Sequence, residues 1–124
     1  MKPIHLVLLG TVVLVSGEAF DIATTAIALL YPAFAGEFEE VGNPFIRLFM
    51  YDLGFANNGF LIGVMISLII DALIIYAAYS RSRSYSSSGS FGSLVLFMVL
   101  LGIGHWVAGY QNLTLLQSYA PFGV

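Results

Sequence analysis

Three long apolar stretches carry very few charged side chains, and they constrain the fold more than any other feature of this sequence. The hydrocarbon core of a bilayer is about 30 Å thick, so a spanning helix needs about 20 mostly apolar residues. We predict such spans at about residues 6–31, 60–79 and 93–116. Strands are excluded because an open sheet edge in lipid would leave backbone groups without hydrogen bonds. The predicted fold is an all-α integral membrane domain with three transmembrane helices.

The composition supports this placement in a bilayer. Of the 124 residues, 59% are hydrophobic and 9% are charged, whereas a typical soluble domain is about 25% charged. The net charge of -3 provides no basic surface for a nucleic acid, so we expect no nucleic-acid partner. The absence of cysteine excludes a disulfide scaffold and thiolate metal sites.

The first stretch also resembles a signal peptide, since Lys2 precedes an apolar run that reaches the small residues Ser16 and Gly17. Apolar residues continue beyond Asp21, however, and cleavage after Gly17 would leave a remnant too short to cross a membrane. We therefore favour a span over a cleaved signal.

The two connecting segments differ in character. Residues 32–42 are acidic and read as a loop, after which Asn43 is a candidate N-cap and Pro44 occupies the first helical position. The following apolar residues recur at one-turn spacing and predict a short interfacial helix over about residues 44–56; the alternative is an ordered loop packed on the helix ends. Residues 80–92 are rich in serine and glycine and predict a flexible loop.

The placement of basic residues predicts an orientation in the cell membrane. Lys2, Arg81 and Arg83 fall on one side of the three predicted spans, whereas Arg47 and most acidic residues fall on the other. The positive-inside rule then places the N-terminus and the serine-rich loop in the cytoplasm, and the acidic loop and the C-terminus outside.

Cysteine labelling tests this orientation, because the chain has no cysteine of its own. An impermeant thiol reagent applied to intact cells should label the Gly36→Cys variant and leave the Ser87→Cys variant unlabelled. The reverse pattern would contradict the predicted topology.

Ionisable residues inside the predicted spans carry the functional signal. Glu18 and Asp21 lie in the first span, Asp71 in the second and His105 in the third. A charged side chain at the bilayer centre costs about 2.5–3.5 kcal/mol on insertion scales, so such residues normally face one another or water inside a bundle. We therefore expect these four side chains to point inward.

Helical periodicity places further polar and small residues on the same faces. Thr25 lies seven residues after Glu18, Ser67 lies four before Asp71, and Asn112 lies seven after His105. Small residues let helices approach closely and polar residues bond across the interface. We predict that the three faces meet, with Thr25, Ser67 and Asn112 supporting the ionisable cluster.

The residue types of the cluster are compatible with two classes of role. It can bind protons, or a divalent cation as a possible cofactor, in a transport-related protein, because carboxylate and imidazole groups serve both purposes. Three close carboxyls in a bundle cannot all stay ionised without a cation, so we expect at least one to be protonated at neutral pH. The alternative is a set of structural hydrogen bonds.

The expected partner proteins depend on which of these roles is correct. A proton- or ion-binding protein with three spans would work as a homo-oligomer, whereas an accessory subunit would assemble with a larger membrane complex. No nucleotide-binding or nucleophile motif is present, so an enzyme is the less favoured class.

Two motifs resemble a family of small bacterial and archaeal membrane proteins of unknown function. Asp21-Ile-Ala-Thr24-Thr25 is similar to its first-helix segment, and Glu40-Val-Gly-Asn43-Pro44 is similar to the Glu-x-Asn-Pro segment that follows, with one additional residue here. A late asparagine in the final helix of that family would match Asn112. The resemblance implies a fold of three or four membrane helices and supplies no activity.

Overall fold

The computed structural model describes residues 2–31, 44–84 and 88–119, and these residues are almost entirely helical. In order, the helices are α1 (Pro3–Ala28), α2 (Pro44–Arg47), α3 (Ala56–Arg83) and α4 (Ser88–Tyr119), and a π-helical turn, Leu48–Asp52, continues directly from α2. The described ranges contain no strand. The all-α prediction of three long helices and one short helix is confirmed.

Three of these helices are long and apolar enough to cross a membrane: Pro3–Ala28, Ala56–Arg83 and, within α4, Phe91–Ser118. Their outward faces carry large exposed hydrophobic side chains such as Leu8, Leu61 and Leu100. Soluble proteins rarely expose so much apolar surface to water, whereas the lipid-facing surface of a membrane protein is apolar. The described helices are therefore those of a membrane protein.

The long helices pack in a defined order. α1 and α4 run parallel, because Gly10 contacts Met98 near one end and Phe20 contacts Gly109 further along both helices. α3 runs antiparallel to them, since Ala78 near its end packs with Val7 near the start of α1. The start of α1, the end of α3 and the start of α4 therefore lie at the same end of the bundle.

The helices extend further into the serine-rich segment than predicted. The expectation of a loop over residues 80–92 is wrong for Ser80–Arg83, which end α3, and for 88–92, which begin α4. Elongating an existing helix is easy once it has nucleated, and Arg81 and Arg83 interact favourably with the negative end of the helix dipole. Residues 85–87 lie outside the described part of the chain.

The short helix is confirmed, and it packs on the long helices at the opposite end of the bundle. Ile46 and Met50 are buried with Ala28 of α1, and the backbone of Ile46 lies against Gly63 of α3. The predicted range of 44–56 is too long, because the helical residues end at Asp52. The chain turns at Gly54, whose φ of 73° lies in the left-handed region that favours glycine.

Candidate functional site

The ionisable residues of α1 meet those of α4 in the middle of the bundle. His105 of α4 lies between two side chains of α1, with its Nε2 2.7 Å from Glu18 Oε2 and its Nδ1 2.9 Å from Asp21 Oδ2. Glu18 and Asp21 are three residues apart on one helix, so both carboxyls face the same neighbour. We call Glu18, Asp21 and His105 the triad.

α3 joins the triad through a single polar side chain. The Ser67 hydroxyl donates a hydrogen bond of 2.6 Å to Glu18 Oε1. Glu18 is only 2% exposed; its Oε2 lies against His105 Nε2 but has no hydrogen-bond partner among the described residues. One carboxyl therefore links all three long helices.

The two imidazole contacts differ in what they require of the protons at the triad. A neutral imidazole has one N–H and one lone pair, so with both carboxyls ionised one nitrogen lone pair would face a carboxylate oxygen. One additional proton, on the imidazole or on a carboxyl, supplies a hydrogen for both contacts. Both contacts can therefore be hydrogen bonds only in a state that holds one more proton than the fully deprotonated triad.

Asp21 is held in place by a set of side chains on the same two helices. Asn112 Nδ2 of α4 lies 2.8 Å from Thr25 Oγ1, 3.2 Å from Thr24 Oγ1 and 3.3 Å from Asp21 Oδ1. The Thr25 hydroxyl donates to Asp21 Oδ1 at 3.3 Å. Thr25 and Asn112, which were predicted to support the cluster, therefore position the Asp21 carboxyl. Ser67, the third predicted residue, positions the Glu18 carboxyl.

Asp71 points inward but does not join the triad. It is 5% exposed, and its Oδ2 has no hydrogen-bond partner in the described part of the chain. It shares a groove between α1 and α3 with Glu18. The expected convergence of four ionisable side chains is thus found for three of them, with Asp71 set apart on the groove wall.

The described side chains do not form a metal site as they stand. Within residues 2–31, 44–84 and 88–119, no three His, Asp or Glu side chains are arranged to hold a metal ion. A ligating histidine must direct a lone pair at the metal, but both ring nitrogens of His105 face carboxyl oxygens.

One polar pair next to the triad escaped the sequence analysis. Trp106 Nε1 donates a hydrogen bond of 3.1 Å to Ser16 Oγ, and its ring lies 4.9 Å from that of Phe20. Tryptophan and serine in a span are individually unremarkable, so only the contact between α1 and α4 reveals the pairing. This pair anchors α4 one residue beyond His105.

The remaining predicted residues form a motif at the start of the short helix. Pro44 begins α2, as predicted. Glu40 and Asn43 lie outside the described residues, and so does the predicted cap.

No family model, curated protein or solved structure matches this chain. The resemblance carried by Asp21–Thr25 and Glu40–Pro44 therefore stays a prediction.

Proposed function

We propose that this protein binds and releases protons at the triad within the membrane. The observation that carries the proposal is the placement of both His105 nitrogens within 3 Å of carboxyl oxygens, in helices that are long enough to span a bilayer. Ionisable groups inside a membrane are expensive to keep and commonly mark proton or ion pathways. A transport-related role as a homo-oligomer belongs to the same proposal, because three spans barely enclose a path.

Proton exchange at the triad would change contacts between helices. Glu18 accepts from Ser67 of α3 and faces His105 of α4, so a change in its charge alters both contacts at once. Losing the additional proton would set a lone pair of His105 against a carboxylate oxygen. This is a repulsive contact in a low-dielectric bundle, and it would loosen α1 from α4.

The proposal predicts a stability that falls as pH rises above neutrality. In this proposal the native triad holds one additional proton, whereas above about pH 7.5 the same three groups in the unfolded chain hold almost none. Because the native state binds more protons, its stabilisation is present at lower pH and is lost as pH rises, at about 1.4 kcal/mol per pH unit. Unfolding in mixed micelles between pH 7 and 9, followed by fluorescence of the single tryptophan, measures this slope.

Glu18→Gln is the decisive variant. A glutamine amide donates to His105 Nε2 while the imidazole N–H donates to Asp21, so both contacts form without an additional proton. We expect this variant to fold and to lose the pH slope. His5→Gln, which changes the exposed histidine at the start of α1, should keep the slope. A Glu18→Gln protein with the wild-type slope would contradict proton binding at the triad.

The second candidate is an accessory subunit of a larger membrane complex. The large apolar surface on the outward faces of all three long helices favours it, because partner helices can cover such a surface as well as lipid does. Native mass in mild detergent separates the two candidates. A homo-oligomer supports the first, and stoichiometric co-purification with larger subunits supports the second.

A further inference from the structure

A groove of about 480 Å³ lies between α1 and α3, on the side of Glu18 that faces α3. Its walls are almost entirely aliphatic, with Ala19 and Ala23 on α1 and Val64, Leu68 and Ala72 on α3 among them. Its volume falls in the range of about 300–1,000 Å³ that is typical of small-molecule sites.

Glu18 and Asp71 are the two ionisable side chains on this apolar wall. Glu18 faces His105, but Asp71 has no cationic side chain in contact with it in the described chain, and its buried Oδ2 accepts no hydrogen bond there. A buried carboxyl without a partner is costly, so natural proteins normally pair it. The unpaired carboxyl is the independent sign that the groove accepts a ligand.

We propose that this groove binds a lipophilic cation, namely an ammonium or phosphonium centre that carries bulky apolar substituents. The charge would lie near Asp71 and Glu18, and the substituents would fill the aliphatic walls. A hydrated metal ion fits poorly, because it requires several oxygen ligands and the groove offers only two carboxyls. A neutral lipid chain would fill the walls and leave Asp71 unpaired. The cation-binding proposal rests on the proposed function, because Glu18 belongs to both the triad and the groove.

Binding of tetraphenylphosphonium to the protein in lipid nanodiscs tests the proposal, with empty nanodiscs subtracting the partition into lipid. We expect saturable binding, and little binding of the neutral analogue triphenylphosphine oxide. Asp71→Asn should weaken the binding by at least about tenfold, because it removes one member of a desolvated charge pair.

A pair of alanine substitutions controls for general effects on α1. Ala23 lines the groove and Ala26, three residues later, does not; both are exposed. Ala23→Leu should fill the groove and abolish binding, whereas Ala26→Leu should bind like the wild type. Equal binding by these two variants, or unchanged affinity in Asp71→Asn, would overturn the proposal.

The test separates this proposal from proton binding. Asp71→Asn should weaken cation binding and keep the pH slope of stability, because Asp71 forms no hydrogen bond or ion pair with the triad in the described part of the chain. If the wild type binds the cation but its stability does not change with pH, only the triad proposal is contradicted. An absence of cation binding, with a dimer that Ala23→Leu breaks, would show that a second copy of the chain occupies the groove and would overturn the cation proposal alone.

Discussion

His105→Leu should destabilise the protein by about 3–5 kcal/mol at neutral pH, because removing one member of a buried charged network leaves the others unpaired. Glu18 and Asp21 would then face each other across an apolar side chain, with only Ser67, Thr25 and Asn112 as partners. Detergent unfolding monitored by tryptophan fluorescence measures the loss. The difference from the wild type should narrow as pH falls toward about 4, where carboxyls become protonated and the imbalance disappears.

Two further variants test whether the lost stability comes from the coupled network of the triad. His5→Leu makes the same chemical change at an exposed histidine and should alter stability little. Combining His105→Leu with Glu18→Leu and Asp21→Leu removes the whole network, and it should recover part of the loss, since an apolar replacement of a complete buried ion network is often neutral. A His105→Leu protein as stable as the wild type would show that the triad is not a coupled network.

The helices were predictable because their signals are local. Long apolar runs define α1, α3 and α4, and Pro44 marks the start of α2. Their ends were less predictable, because serine, glycine and arginine near a membrane surface favour a loop and a helix end almost equally. Arg81 and Arg83 suit the last turn of α3, and this preference outweighed the low-complexity composition around them.

The site was predictable only in part. Depth and periodicity identified Glu18, Asp21 and His105, because these properties follow from counting along a helix. They could not show that Asp71 stays apart, since that depends on how α3 rotates about its own axis. This rotation is influenced by the close packing of Gly59 and Gly63 against the short helix. The unpaired carboxyl that suggests a ligand is thus a tertiary feature with no signature in the sequence.

Gly102→Ala should destabilise the contact between α1 and α4 that carries the triad. A Cβ at Gly102 would lie 2.6 Å from the Val13 carbonyl oxygen and 2.8 Å from Leu14 Cα, and neither backbone atom can move without shifting α1. Overpacking of this kind costs about 1–3 kcal/mol. His105 lies three residues after Gly102, so a displaced α4 should also lengthen the contacts of the triad and flatten the pH slope of stability.

Gly104 provides the matched control on the same helix. A Cβ there meets nothing within 4 Å, so Gly104→Ala introduces no clash. It should instead stabilise the helix by about 0.5–1 kcal/mol, because alanine loses less backbone entropy than glycine. The two substitutions make the same chemical change two residues apart and should move stability in opposite directions. Equal effects in detergent unfolding would mean that α1 and α4 do not pack backbone against backbone at Gly102, and the triad would then lose the contact that aligns it.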